Sequence, residues 1–265
     1  MKKLQDILKG ITFIFMIAVL AVSCSTDNEN SDLNESQQLS QAELKSILET
    51  DEISASVDMV LTEFYGNDNS SAKGLNDCYE AAYTDTGFTA TFNNCVLNGS
   101  ENINGTLTVV YEMGSQAAAF TATFTDFYVG DIKVNGSRTY NIGAGPTESS
   151  IEFTVVSDIE LIFADDSIIE EIGTKSLVFQ FGETLESSTI AISGSWTIEM
   201  DGNTYVVEVT EDLIGNFGCD HLVSGLLYVG KNGLAVTIDF GDGNCDNLAT
   251  IIYPDDTTEE VTLDN

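Results

Sequence analysis

The pentapeptide Phe88-Thr89-Ala90-Thr91-Phe92 occurs twice in this chain, the second time as Phe120-Thr121-Ala122-Thr123-Phe124. Apolar and polar residues alternate within it, which is the period of a β-strand with one buried face. A third, related stretch is Leu177-Val178-Phe179-Gln180-Phe181. The repetition predicts a chain assembled from copies of one β-strand unit.

A glycine follows each copy at a nearly constant distance. Gly105 lies 17 residues after Phe88, and the equivalent glycines of the other two copies lie 16 and 17 residues after their starts. A branched residue and an Asn or Ser precede each of these glycines, and Val223-Ser224-Gly225 repeats this second half once more. The repeat is therefore a β-hairpin of about 30 residues. A glycine at one fixed place predicts a bulge or a close backbone approach.

The remainder of residues 67–265 fits the same architecture. Further strand candidates are Ile151–Ile162, Thr204–Val209, Leu234–Phe240 and Leu248–Tyr253, and the chain has only two prolines to interrupt them. We expect a mainly β domain of about ten to twelve strands, arranged as an antiparallel meander of repeated hairpins. Because open sheet edges are prone to association, the meander should close into a barrel or fold as a sandwich.

A helical segment is predicted before the β domain, over residues 40–66. Ser40-Gln41-Ala42-Glu43 fits a capping box, in which the Ser and Glu side chains each bind the other residue's backbone N–H. Apolar residues then recur at helical spacing from Ile53 to Phe64, and Thr50-Asp51 is a candidate break. The stripe indicates a helix packed on the β domain, with a partner-binding amphipathic helix as the alternative.

The N-terminus has the pattern of a secretory signal peptide over residues 1–23. Lysines precede an apolar run from Ile11 to Val22, which is too short to span a bilayer. The run ends in Leu20-Ala21-Val22-Ser23-Cys24, which resembles the lipobox of bacterial lipoproteins, although Ala21 stands where that pattern usually has Leu. The resemblance implies cleavage after Ser23 and acylation of Cys24. The alternative is an ordinary cleaved signal with a chance cysteine.

Residues 24–39 are expected to form a disordered acidic tether, because they contain almost no apolar side chains. Their acidic start resembles the export signal of surface-displayed lipoproteins in Bacteroidota-type bacteria. We therefore expect an exported protein that is lipid-anchored to the outer membrane and displayed at the cell surface, with a periplasm-facing orientation as the alternative.

The charge of the chain excludes several classes of partner. It has 43 acidic residues against 9 basic ones, for a formal charge of −34. Such a chain repels phosphate, so nucleic acid is excluded as a partner, and so is direct binding to anionic lipid. Two interpretations of the negative charge remain. The charge gives the protein a soluble, self-repelling surface, or it binds divalent cations or a basic partner.

Four cysteines remain beyond Cys24: Cys78, Cys95, Cys219 and Cys245. Disulfides persist outside the cytoplasm, and four cysteines allow three pairings. We favour Cys78–Cys95 and Cys219–Cys245, because each pair brackets one short β segment. The alternative is a zinc site built from all four thiolates, although no Cys-x-x-Cys spacing supports it.

One polar segment has the alternating oxygen side chains of a calcium loop. It runs from Asp242 to Asn247, and the candidate ligands are Asp239, Asp242, Asn244 and Asp246. A polar hairpin turn held by Cys245 explains the same residues, and no other cofactor is predicted. The segment Phe240 to Asn247 and the repeated hairpins also resemble β-rich lipoproteins of Bacteroidota-type bacteria, a resemblance that implies no particular activity.

Catalytic motifs are sparse in this sequence. His221 is the one histidine, and a disulfide at Cys219 would remove its neighbouring thiol. No nucleotide-binding glycine loop or nucleophile elbow is present. We expect a non-catalytic binding or structural β module with a glycan or protein ligand. The alternatives are a carboxylate-dependent glycan hydrolase, which needs only two suitably placed acids, and a calcium-dependent adhesion module.

Overall fold

A computed structural model describes residues 39–66, 78–96, 102–112, 118–219 and 221–263. The predicted signal peptide, Cys24 and the predicted tether up to residue 38 lie outside the described residues. None of the helices in the described part is both long and apolar enough to cross a membrane.

Thirteen strands form one antiparallel sheet in which every strand lies beside its neighbours in sequence. This confirms the predicted mainly β meander, with more strands than the sequence indicated. A 3₁₀ turn, Leu185–Ser187, lies between the seventh and eighth strands. The strands are β1 (Tyr79–Thr84), β2 (Gly87–Cys95), β3 (Ile103–Tyr111), β4 (Ala118–Val129), β5 (Ile132–Ala144), β6 (Ser150–Ile162), β7 (Ile168–Gln180), β8 (Thr189–Met200), β9 (Asn203–Asn216), β10 (Leu222–Lys231), β11 (Leu234–Asp242), β12 (Leu248–Ile252) and β13 (Thr258–Thr262).

The sheet is not closed. Within the described residues β1 pairs only with β2 and β13 only with β12, so these two strands are its edges. The expectation of a closed barrel or a two-sheet sandwich is therefore wrong. The prediction assumed that exposed sheet edges must be removed by closure. Here the sheet stays open, with a helix covering one of its faces, and its two edge strands are short, with six and five residues.

Helix α1 runs without a break from Gln41 to Gly66, through the candidate break at Thr50-Asp51. Its capping box is confirmed: the Ser40 backbone N–H donates to Glu43 Oε2 at 2.8 Å, and the Glu43 N–H donates to Ser40 Oγ at 3.3 Å. Helix positions that face the sheet are fully buried, among them Ile47, Val57 and Val60. We call the sheet face that carries α1 the inner face.

The repeated pentapeptides form β2 and the first half of β4, and both copies bury their apolar positions on the inner face. Phe88, Ala90 and Phe92 are at most 3% exposed, and the equivalent residues of the second copy are equally buried. The alternation seen in the sequence therefore corresponds to one buried face, as predicted.

The repeated glycines lie at shifts in strand register, which confirms the predicted bulges. Gly105 and Gly136 both have a φ of 96°, a conformation that L side chains rarely adopt. A Cβ added at either position would collide with a backbone carbonyl oxygen of the neighbouring strand. The other two members of the repeat, Gly194 and Gly225, also have positive φ values, 127° and 113°, and a Cβ there would likewise collide with a backbone carbonyl oxygen.

Both disulfides of the favoured scheme are present. Cys78 and Cys95 have Cα atoms 5.2 Å apart, and Cys219 and Cys245 have Cα atoms 5.3 Å apart. The first bridge joins the start of β1 to the end of β2. The second joins the β9–β10 connection to the turn after β11. The alternative of a four-thiolate zinc site is excluded, since the four sulfurs are consumed in pairs.

Candidate binding site beside helix α1

Five charged side chains meet in the interface between α1 and the inner face of the sheet. Arg138 on β5 and Glu171 on β7 are 1% and 0% exposed. Arg138 Nη1 lies 2.6 Å from Asp58 Oδ1, and its Nη2 lies 3.3 Å from Glu171 Oε1. Lys175 Nζ lies 2.6 Å from Asp51 Oδ1 and 3.2 Å from Glu171 Oε2. We call these five residues the charge cluster.

Neutral groups complete the hydrogen bonding of the charge cluster. Tyr140 Oη donates to Asp58, and Ser54 Oγ donates to Glu171 Oε2 at 3.1 Å. Arg138 Nε donates to Ser157 Oγ at 3.0 Å, while the Lys175 ammonium lies 4.2 Å from the centre of the Trp196 ring. Buried charges are tolerated when they are paired and hydrogen-bonded in this way.

The pKa values of the two carboxyl groups that share Lys175 move in opposite directions. Burial raises the pKa of Asp51 above its ordinary value, more than the attraction of Lys175 lowers it. Burial also raises the pKa of Glu171, but Lys175 and Arg138 outweigh it and lower the value. Two carboxyl groups whose pKa values differ in this way can act as a general acid and a general base, which is what a carboxylate-dependent hydrolase requires. Both carboxyl groups are bound to Lys175 in the interface between α1 and the sheet.

A second ionic contact holds the first turn of α1. Glu43 pairs with Lys231 at the end of β10, and Tyr205 Oη donates to Glu43 Oε1 at 2.7 Å. Burial raises the pKa of Glu43, but hydrogen bonds from Lys231, Ser40 and Tyr205 outweigh it and lower the pKa to about 2. Three cations of the sheet therefore bind an acidic helix, and every Lys and Arg within the described residues has a carboxylate partner.

A cleft of about 440 Å³ lies between the N-terminal half of α1 and the last strands of the sheet. Its walls are aliphatic, most of its polar residues are exposed, and none of the Phe, Tyr or Trp residues that the structure describes lines it. None of the charge cluster lines it either. The aliphatic residues are Ala42, Leu44, Leu48, Ile238, Ile251, Val261 and Leu263, and the polar residues are Gln41, Lys45, Glu49, His221 and Thr262.

The cleft has the size and character of a small-molecule site. Pockets of about 300–1,000 Å³ with mostly apolar walls and a few polar groups are the usual form of such sites. Ile238 and Ile251 at its base are each 2% exposed, so the strand side of the cleft is firmly packed. His221 also lines the cleft, and because Cys219 is in a disulfide, His221 forms no thiol–imidazole pair with it.

The predicted calcium ligands do not converge. Asp239 accepts a hydrogen bond from the Gly241 N–H at 2.9 Å, and Asp246 accepts one from the Leu248 N–H at 3.1 Å. Asp242 accepts from the side chain of Asn244. These oxygens are engaged in local turns, and within the described residues no three His, Cys, Asp or Glu side chains form a group able to hold a metal ion.

Comparison of the chain with protein-family models, with curated proteins and with solved structures finds no match. The function must therefore be argued from the cleft and the charge cluster. Sequence reasoning found neither of them. The sequence did contain one indication of the charge cluster. Arg138 and Lys175 are two of only 9 basic residues, and in each strand the residues on either side are polar, so the basic side chain itself falls on the opposite, buried face.

Proposed function

We propose that this protein is an exported, lipid-anchored lipoprotein that binds an amphipathic small molecule in the cleft beside α1 without transforming it. The aliphatic walls of the cleft carry this proposal. Their side chains suit a flexible hydrocarbon body, whereas a sugar ring would find none of the flat aromatic faces on which sugars stack. The polar residues at the edge of the cleft then contact the head of the ligand or water.

Export and anchoring are supported by the signal peptide pattern and by the lipobox resemblance at Cys24. The two disulfides are consistent with an oxidising compartment. An acyl chain on Cys24 would attach the protein to the outer membrane, with display at the cell surface as the proposed orientation.

The absence of turnover is supported by where the buried acids lie. Asp51, Asp58 and Glu171 each bind Arg138 or Lys175 and thereby fasten the helix to the sheet. A hydrolase would need two carboxyl groups that reach a substrate. If a panel of polysaccharides shows turnover that Asp51→Asn abolishes without unfolding the protein, the non-catalytic proposal is wrong.

Binding can be tested with N-phenyl-1-naphthylamine, a neutral probe that becomes fluorescent in apolar surroundings. The mature chain carrying Cys24→Ala avoids any signal from the lipid anchor. We expect saturable fluorescence with about one probe per chain, which Val261→Lys should abolish because it places an ammonium group in the cleft wall.

Val206→Lys is the matched control. Val206 lies on β9 and is 48% exposed on the sheet face opposite α1, so this variant gains the same charge far from the cleft. It should bind the probe like the parent protein. Undiminished binding by Val261→Lys, or an equal loss in both variants, would refute the cleft as the binding site.

A further inference from the structure

The first strand of the sheet exposes a row of backbone hydrogen-bonding groups. The Asn93 N–H donates to Cys78 O at 2.8 Å, which sets the alternation of the β1–β2 ladder. In an antiparallel ladder, every second residue directs its backbone N–H and C=O towards the partner strand. In β1 the residues that do so include Glu80, Ala82 and Thr84. Ala81 and Tyr83 direct theirs away from the sheet, and β2 is the only strand that pairs with β1 in the described part of the chain.

Apart from its short length, the edge at β1 lacks the usual protection. Edge strands are commonly shielded by lysines, prolines, bulges or several charges. β1 reads Tyr-Glu-Ala-Ala-Tyr-Thr, with one charged residue, and its six pairs with β2 are continuous. The opposite edge, β13, has two glutamates among five residues, and Glu259 also accepts a hydrogen bond from Gln41 of α1.

The exposed edge is also held in place. The Cys78–Cys95 disulfide ties the start of β1 to the end of β2. The Tyr83 ring packs against Phe88 with 5.4 Å between ring centres, yet Tyr83 remains 58% exposed. A rigid edge loses little conformational freedom when another strand is added, so binding there is less costly.

We infer that β1 accepts an additional strand from another protein. The incoming segment would hydrogen-bond with the backbones of Ala81 and Tyr83 and place apolar side chains beside theirs on the inner face. Its chemistry is that of an extended peptide of about six residues with alternating apolar side chains and no net negative charge. A second copy of this chain is disfavoured as the partner, because its charge of −34 would repel.

The probe for this test is the peptide Lys-Val-Thr-Val-Thr-Val-Lys with blocked ends. Added to the mature chain carrying Cys24→Ala, it should slow amide hydrogen exchange at Ala81 and Tyr83 by at least about tenfold at saturation, while amides of β13 stay unchanged. The same peptide with N-methyl groups on alternate residues cannot complete the ladder and should produce no protection. Equal protection by both peptides, or by neither, would overturn the proposal.

Two proline variants test the edge from the side of the protein. Ala81→Pro removes a backbone N–H that points away from the sheet, so the β1–β2 ladder should persist while peptide binding is lost. Glu260→Pro is the matched control. The Leu263 N–H donates to Asn247 O, and the alternation of the β12–β13 ladder then directs the Glu260 N–H outward at the β13 edge, so this variant should bind the peptide normally.

Sedimentation separates a partner strand from self-association. We expect a monomer in the absence of peptide. A dimer that Ala81→Pro dissociates would assign the edge to a second copy and contradict the proposed partner. If Ala81→Pro fails to fold, the comparison of the methylated and unmethylated peptides still decides the matter.

Discussion

Arg138 on β5 and Asp58 on helix α1 lie 80 residues apart in the chain, and their side chains meet at 2.6 Å. The arginine is 1% exposed and the aspartate is 25% exposed. Glu171 on β7 binds the same guanidinium group from the sheet. A protein with 43 acids and 9 bases thus places several of its few cations where they attach the helix to the sheet.

Arg138→Met should destabilise the protein by about 3–5 kcal/mol, because it removes the cation paired with the partly buried Asp58 and one of the two cations paired with the buried Glu171. The methionine fills much of the arginine's volume, so the loss reports the missing charge rather than a cavity. Urea unfolding followed by circular dichroism measures it. Lys133→Met is the control, since Lys133 pairs with Asp126 at 2.7 Å on the surface. Its unfolding midpoint should match that of the wild type; an equal loss in both variants would contradict the special role of the charge cluster.

Glu43→Gln should remove a stabilisation that depends on pH. The pKa of Glu43 falls from its ordinary value of 4.5 to about 2 in the folded protein. The folded state therefore favours the carboxylate, and the stabilisation is complete above pH 4.5 and lost as the pH falls from 4.5 towards 2. We expect the variant to be less stable by about 2 kcal/mol at pH 7, and the difference to vanish near pH 2.

Urea unfolding at several pH values measures this difference. Glu49→Gln serves as control, because Glu49 is an exposed residue of the same helix whose nearest partner, Lys45, lies 3.8 Å away. Its stability should follow the wild type across the range. A Glu43→Gln difference that stays constant down to pH 2 would contradict the pKa-linked mechanism.

Trp196→Phe should cost only about 1 kcal/mol, well below the 3–5 kcal/mol expected for Trp196→Ala. The indole is 3% exposed, and its Nε1–H has no hydrogen-bond partner among the described residues. Removing an unpaired buried donor offsets part of the lost packing. Tyr140→Phe is the matched comparison, because it deletes a hydroxyl that donates to Asp58, and it should cost more. The reverse order in chemical denaturation would count against this account.

Cys24→Ala should release the protein from membranes. If Cys24 carries acyl chains, the wild type partitions into the detergent phase of a Triton X-114 extraction and incorporates labelled palmitate. The variant should do neither, because no other acylation site is predicted. Ser23→Thr, which leaves the cysteine in place, is the control. Detergent partitioning that survives Cys24→Ala would show that the lipid anchor is misassigned.

Local features of the fold could be predicted from the sequence because each is determined by neighbouring residues. The alternation in Phe88–Phe92, the capping box of Ser40 and Glu43, and the glycine at each bulge depend on contacts within one or two elements. The disulfide pairing was predicted because each cysteine pair brackets one short β segment; the pairing is present, and each pair in fact encloses two strands. These predictions needed no knowledge of the sheet as a whole.

The site could not be predicted because its residues come together only when the helix lies across the sheet. Arg138 and Asp58 belong to different elements, and no periodicity reveals that they face each other. The cleft likewise needs Leu48 of α1 beside Ile238 of β11. The open sheet was missed for a related reason: whether a meander closes depends on twist and on the helix that covers it, which strand patterns do not encode.

An open meander of repeated hairpins has a consequence for how such a protein can change over generations. A closed barrel fixes its strand number, because number, tilt and stagger must agree. In the described part of the chain this sheet ends at β1 and β13 without closing, and each repeated hairpin carries its own bulge glycine. Duplication or loss of one hairpin would therefore lengthen or shorten the sheet by two strands without disturbing the others. One recombination event could thus change the width of the sheet, and with it the size of the cleft beside α1.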